Sequence, residues 1–226
     1  MNKKWYCINL ILLVMIFFCG CNVDYAEILK QNISENCEAY FTGTTQNFYV
    51  NLYTGEREEP YLLDGISENK VPYCIVAITP ITQLQKSENM TYCVEINGST
   101  VQGAFSESPF DNSFAGDLGL KVKSTDTIFV YVKYADSTEV AKMNCISIAF
   151  TITSEVALNS AISNLLPDLL AITEGKEQSV ECFIQVINKS PKLNIYFWCV
   201  NFVTVSGNCL TIIIDTQTGD ILAKNV

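Results

Sequence analysis

The chain has 226 residues, 49% of them hydrophobic and 17% charged, which is enough apolar material for a sizeable core and enough length for two domains. Its 24 acidic residues outnumber 14 basic ones, and a net charge of -10 repels nucleic acid and acidic membrane surfaces. Histidine is absent, which removes Ser-His and Cys-His nucleophiles, histidine general bases and histidine metal ligands. An enzyme built from this chain would have to use paired carboxylates, lysine or oxygen-bound metals.

In chain order, Lys3 and Lys4 precede an uncharged, mostly apolar run from Trp5 to Phe18. The run is shorter than the about 20 residues that span a bilayer and suits the central region of an export signal. Phe18-Cys19-Gly20-Cys21 follows, then Asn22-Val23-Asp24. Gly20 directly before Cys21 resembles the lipobox of bacterial lipoproteins, with Phe18 in place of the usual aliphatic residue and Cys19 at the next position. The resemblance implies that residues 1–20 are a signal peptide and that Cys21 is the lipid-attachment residue. It also implies an exported protein held on the outer face of the bacterial cytoplasmic membrane. Two or more acyl chains would hold it stably, where one chain is marginal. Read without the resemblance, the same residues make an ordinary cleaved signal peptide.

With Cys7, Cys19 and Cys21 set aside, Cys37, Cys74, Cys93, Cys145, Cys182, Cys199 and Cys209 remain, an odd number with no C-x-x-C pair. Neither a zinc ribbon nor a thioredoxin-like site is therefore suggested. Most of the seven lie in apolar strand-like runs, where a thiol behaves as a small hydrophobe, so buried thiols are favoured over the disulfides that export permits. Cys199 and Cys209 flank a turn at Ser206-Gly207-Asn208. A tight turn there sets Cys209 opposite residue 204 or 206, so the pair is not expected to bridge.

Residues 21–38 read as a tether or short helix, with Tyr25, Ile28 and Leu29 at helical spacing. From 39 to 150 the texture is short β-favouring runs punctuated by turn residues, among them Thr54-Gly55, Asp64-Gly65 and Asn97-Gly98. Strands are predicted at 71–79, 90–96, 99–105, 118–123, 127–134 and 143–150, with a hairpin at Asn97-Gly98. This pattern predicts an antiparallel β-sandwich, similar to the Ig-like sandwiches of bacterial surface proteins. The junction at Ile148–Thr153 contains neither Gly nor Pro and predicts a short stiff connection.

Across 151–226 the period changes. Ser154 suits an N-cap, Glu155 the first helical turn, and Leu158, Ala161, Ile162, Leu165 and Leu169 form an apolar helical stripe that Pro167 should end or kink. A strand at about 180–187, a turn at 188–191, a long strand from Ile195 to Val205 with both faces apolar, and a return from Cys209 to Ile214 predict an antiparallel sheet. Asp215, Thr218 and Gly219 read as a structural turn before Ile221 and Leu222. One helix then an antiparallel sheet, with Ile152-Thr153-Ser154-Glu155-Val156-Ala157, Tyr196-Phe197-Trp198-Cys199-Val200 and the closing Asp215-x-x-Thr218-Gly219-x-Ile221-Leu222, resembles the PepSY domain over about 152–226. That family occurs in peptidase propeptides and bacterial envelope lipoproteins. The expected fold is therefore mostly β, an N-terminal sandwich followed by a small α+β domain.

The residues that invite a chemical reading have plainer ones. Glu56, Glu58 and Glu59 beside Arg57 suggest a cation or sugar site, and read more simply as a solvated loop tip. Glu107, Asp111 and Asp117 are hard oxygen ligands in a polar loop but lack an EF-hand pattern. Trp198 suits a core, and Lys189 and Lys192 a solvated turn. Sequons at Asn32, Asn89, Asn97 and Asn188 fit an asparagine-rich composition. No cofactor, metal or catalytic residue is nominated. The expectation is a non-catalytic binding module anchored to the membrane through lipid on Cys21, with an envelope protein or peptidase as partner and no nucleic acid. A structural spacer and a carboxylate hydrolase are the alternatives.

Overall fold

The computed structural model describes residues 25–82, 90–109, 112–173, 180–190 and 193–225. The fold is mostly β, with two sheets and two helices among the described residues. Helix α1 (Tyr25–Gln31) leads into β1 (Ile33–Thr44), β2 (Phe48–Glu58) and β3 (Lys70–Pro80). Then come β4 (Thr91–Ile96), β5 (Ser99–Ala104), β6 (Ser106–Glu107), β7 (Phe114–Asp117), β8 (Ile128–Tyr134), β9 (Ser137–Lys142) and β10 (Asn144–Cys145). A single 3-10 turn (Ser147–Ala149), helix α2 (Ser154–Thr173), β11 (Val180–Ser190), β12 (Ile195–Thr204), β13 (Cys209–Asp215) and β14 (Ile221–Asn225) complete the order.

The larger sheet has ten strands in the order β14-β13-β12-β11-β1-β2-β3-β7-β6, with β10 pairing β1. The smaller has the order β5-β4-β8-β9. The join between the N- and C-terminal halves is parallel: Ile33 lies opposite Cys182 and Asn36 opposite Ile184. Residues 33–38, expected in a tether, are therefore the first half of β1, and one sheet runs through both expected domains. The pairing partners lie about 150 residues apart, so no local pattern announces them.

Two cores sit on opposite faces of β1 and β2. Phe41 and Leu52 face the smaller sheet and pack with Val76, Val94 and Val130. Tyr40 and Tyr53, one position along each strand, face the other core, where the rings stack at 5.9 Å. There Leu29 of α1 and Leu158, Ala161, Ile162, Leu165 and Leu169 of α2 cover Ile184, Val200, Phe202 and Ile212. The helical stripe read from the sequence is the buried face. Each fully buried Leu, Val or Phe contributes roughly 1.5–3 kcal/mol.

Several local expectations change. Thr153, not Ser154, caps α2: its hydroxyl accepts the Val156 N–H at 3.3 Å and its carbonyl the Ala157 N–H at 2.9 Å. Pro167 does not end α2, which continues to Thr173. Lys224 of β14 donates to the Asn164 carbonyl beside the proline and pairs with Asp168 at 2.7 Å, which supplies the perturbed turn with a new partner. Residues 118–123 are irregular, with a bend at Gly119-Leu120, rather than a strand. Leu118 and Val122 still bury, because their N–H groups donate to the Cys74 carbonyl and the Thr54 hydroxyl. Of 143–150 only Asn144–Cys145 pairs, because Ile146 and Ser147 turn inward to take the carbonyl and N–H of Tyr40. Thr54-Gly55, read as a turn, lies inside β2, and β11 runs on to Ser190 through the expected turn.

Candidate functional site

A cleft opens beyond the parallel join. On one side of β1, β11 pairs with residues 33–36 and β10 with Phe41 and Thr42. Beyond Asn36 the strand exchanges one neighbour for the other, and a cleft of about 420 Å³ opens between them. Thr42, Thr44, Tyr49 and Asn51 come from the β1–β2 hairpin, Lys142 and Asn144 from β9 and β10, and Asn188, Asn194 and Tyr196 from the β11–β12 hairpin. The volume is within the roughly 300–1,000 Å³ of small-ligand sites.

Its chemistry is hydrogen bonding. Four carboxamides offer both donors and acceptors, two threonine hydroxyls and two phenols add to them, and Lys142 brings one ammonium. Among the described residues no carboxylate lines the cleft, in a chain with 24 acidic residues. Tyr196 is fixed: its ring packs against Tyr40 at 5.7 Å and Phe150 at 6.1 Å, and its hydroxyl donates to Asn194 Oδ1 at 3.3 Å. Burial raises its pKa, so the phenol stays neutral at physiological pH. The cleft can hold and orient a polar ligand; among the described residues its lining contains no paired acid and base.

A second cleft of about 490 Å³ lies beside Glu38, Lys121 and Lys123. Its Lys121 is already paired with Glu38 and Glu56 at 2.7 and 3.1 Å.

The residues singled out from sequence are scattered. Glu56 and Glu58 lie on β2 rather than on a loop tip, and only Glu58 is buried, with one carboxylate oxygen lacking a hydrogen-bond partner. Arg57 reaches Glu59 and Asp117 and lies over the Tyr73 ring. Glu107 is on the edge strand β6, and Asp111 lies outside the described residues. Among the described residues no group of three or more acidic, cysteine or histidine side chains is placed to hold a metal ion. Trp198 is buried and donates its Nε1–H to the Ile152 carbonyl at 2.7 Å. Asp215 Oδ1 accepts the N–H groups of Gln217 and Thr218 at 2.7 and 2.9 Å, and Gly219 sits at φ 78°. Of the sequons, Asn32 is half-buried and engaged in holding a loop, and Asn97 bonds Asp126. Asn89, Lys192 and Cys21 lie outside the described residues.

The chain matches no family model, no curated protein and no solved structure.

A second buried carboxylate went unremarked in the sequence. Glu181 is fully buried; it accepts the Ser34 hydroxyl at 3.0 Å and the Gly65 N–H at 2.8 Å. Glu58 and Glu181 line neither cleft. The cleft residues were missed because they come from three separate hairpin regions. The signal that existed was asparagine near the ends of β-favouring runs at 144, 188 and 194, with Asn51 inside β2.

Proposed function

We propose that this is an exported lipoprotein, acylated on Cys21, that acts as a non-catalytic binding module at the bacterial cell envelope and holds its partner in the carboxamide-lined cleft. The observation that carries the reading is directional. β1 begins beside β11, at Ile33–Asn36, shortly after the segment that follows Cys21, and ends at Thr42–Thr44 in the cleft. Eleven steps of β1 separate Ile33 from Thr44, a rise of about 35 Å. An anchor on Cys21 would thus sit at one end of the molecule and the cleft would face away from the membrane.

In this reading residues 39–150 contribute an Ig-like sandwich and 151–226 a PepSY-like unit of helix and antiparallel strands. An envelope peptidase is the first partner to seek. An exposed peptide segment suits the cleft, since amides and hydroxyls match a polar backbone on both donor and acceptor sides.

The test compares the full chain with an Asn51→Ala/Asn144→Ala variant as bait in native envelope extract, read by mass spectrometry. A partner retained by the wild-type chain and lost by the variant supports the reading. Equal retention rejects the cleft as the site, and recovery of no partner favours a spacer.

A further inference from the structure

The loop between β2 and β3 holds its apolar side chains in solvent. Tyr61 is 47% exposed, Leu62 56%, Leu63 39% and Ile66 43%, four large hydrophobic side chains within six residues. Loops are ordinarily polar, and a contiguous exposed apolar group marks a contact surface. This exposure is built rather than slack. Gly65 is clamped on both sides: Glu181 accepts its N–H at 2.8 Å, and Asn32 Nδ2 donates to its carbonyl at 2.7 Å. Asn32 Oδ1 accepts the Ser67 N–H at 2.5 Å, and the Ser67 hydroxyl donates to the Ile33 carbonyl at 2.6 Å. Tyr61 rests edge-on against Phe183 at 5.6 Å.

The clamp places the loop at the α1–β1 junction, beside the first residues of β1 and β11. Tyr25, the first residue of α1, hydrogen-bonds Thr173 at the last turn of α2. The half-exposed Leu170 lies on that turn, and the half-exposed Val205 follows Thr204, the partner of Val180 at the same end. Cys21 precedes Tyr25 by four residues, a reach of at most about 14 Å.

We infer that Tyr61, Leu62, Leu63 and Ile66 form a membrane-seating surface that dips into the bilayer interface next to the lipid on Cys21. The inference rests on the proposed anchor. The occupant is a zwitterionic lipid surface rather than an acidic one, because Glu59, Asp64 and Glu68 flank the apolar group and would be repelled by anionic headgroups. A loop of this kind buries its side chains in the boundary between headgroups and acyl chains, and tyrosine suits that depth. Once the lipid holds the chain at the surface, insertion is effectively intramolecular, so a few side chains suffice to fix the orientation. The cleft then points outward.

The full chain, produced in a bacterial host, is reconstituted in phosphatidylcholine nanodiscs with brominated acyl chains, as Leu62→Trp and as Val140→Trp. Val140 is 48% exposed on β9, next to Glu139, which bonds Asn47 in the β1–β2 hairpin at the far end. Both substitutions are at exposed positions, and unchanged thermal unfolding verifies the fold. Intact mass of the N-terminal peptide reports acylation of Cys21 independently. Quenching at position 62 should exceed that at 140 at least about twofold. Equal quenching at 62 and 140 in acylated protein overturns the seating surface and leaves the anchor standing. An unacylated Cys21 overturns the anchor and the seating surface with it.

Discussion

Gly55 on β2 lies flat against Asn36 on β1: a Cβ at Gly55 would sit 1.8 Å from the Asn36 carbonyl oxygen and 2.9 Å from its carbon. The cause is a bulge. Cys37 lies opposite Gly55 and Ala39 opposite Thr54, so Glu38 is an extra residue in β1. The bulge turns Cys37 and Ala39, two positions apart, toward opposite cores. It lets one strand serve the sandwich with Ala39 and Phe41 and the helical core with Cys37 and Tyr40.

Gly55→Ala forces backbone against backbone and cannot be relieved by a rotamer change. The expected cost is at least about 2 kcal/mol, at the upper end for a single substitution. Urea unfolding of the variant measures it. A loss within about 0.5 kcal/mol would mean that β1 and β2 can part at the bulge without harm.

Glu181 makes stability depend on pH. Burial raises its pKa above the usual 4.5, and the Ser34 and Gly65 donors offset this only in part. A carboxyl that holds its proton more tightly in the folded chain favours the fold at low pH. That contribution is lost as pH rises from the unfolded value through the folded one. Glu181→Gln keeps an acceptor for Gly65 and an amide donor for Ser34 without the charge. Its stability relative to wild type should therefore rise with pH from about 4.5 upward. Glu181→Ala leaves Ser34 and Gly65 without their acceptor and should cost about 1–3 kcal/mol at low pH, a cost that shrinks as pH rises because the variant lacks the titrating group. Thermal unfolding between pH 4 and 8 checks both, and a pH-independent difference for Glu181→Gln would reject the assignment.

What the sequence made legible was local. The α2 stripe, the Asn97-Gly98 hairpin with Ile96 opposite Ser99, and the Asp215–Gly219 turn each rest on contacts within a few residues. What it hid was set by distant partners. The parallel pairing of β1 with β11, the continuation of α2 past Pro167 with Lys224 in attendance, and the burial of Glu58 all depend on segments far along the chain. The cleft was illegible for the same reason: it exists only where β1 trades β11 for β10, and no single lining asparagine announces it.

The cysteines should separate by reactivity. Cys209 is exposed, whereas Cys37, Cys74, Cys182 and Cys199 are buried. Burial pushes the thiols of Cys37 and Cys74 up to about 12, so almost no thiolate forms there at neutral pH. Cys209 lies opposite Val203 and Cys199 opposite Ile213, so the two sit four ladder steps apart, well beyond disulfide reach. This register corrects the expected position of Cys209 opposite residue 204 or 206, and leaves the pair unbridged as that expectation had it. Brief iodoacetamide treatment of the native protein, read by peptide mass, should label Cys209 first among Cys37, Cys74, Cys182, Cys199 and Cys209. Rapid labelling of Cys182 would show that the helical core opens on that timescale.

The closing turn should tolerate changes at Asp215 and resist them at Gly219. The N–H groups of Thr218 and Gln217 hold the Asp215 carboxyl below its usual range. That contribution is present above the unfolded pKa and is lost as pH falls through the folded one. Asp215→Asn retains an oxygen for both donors and should be nearly neutral at pH 7, since asparagine makes the same turn. Gly219 is different. Its φ of 78° disfavours any side chain, and a Cβ would meet Ile152 Cδ1 at 3.1 Å, next to the carbonyl that accepts Trp198. Gly219→Ala should cost about 1–2 kcal/mol from the backbone alone. It should also loosen Ile152 and with it the Trp198 hydrogen bond. Chemical unfolding ranks the two variants, and tryptophan emission of the folded Gly219→Ala protein reports the second effect as a red shift. Equal stability of the two variants would reject the assignment of strain to Gly219.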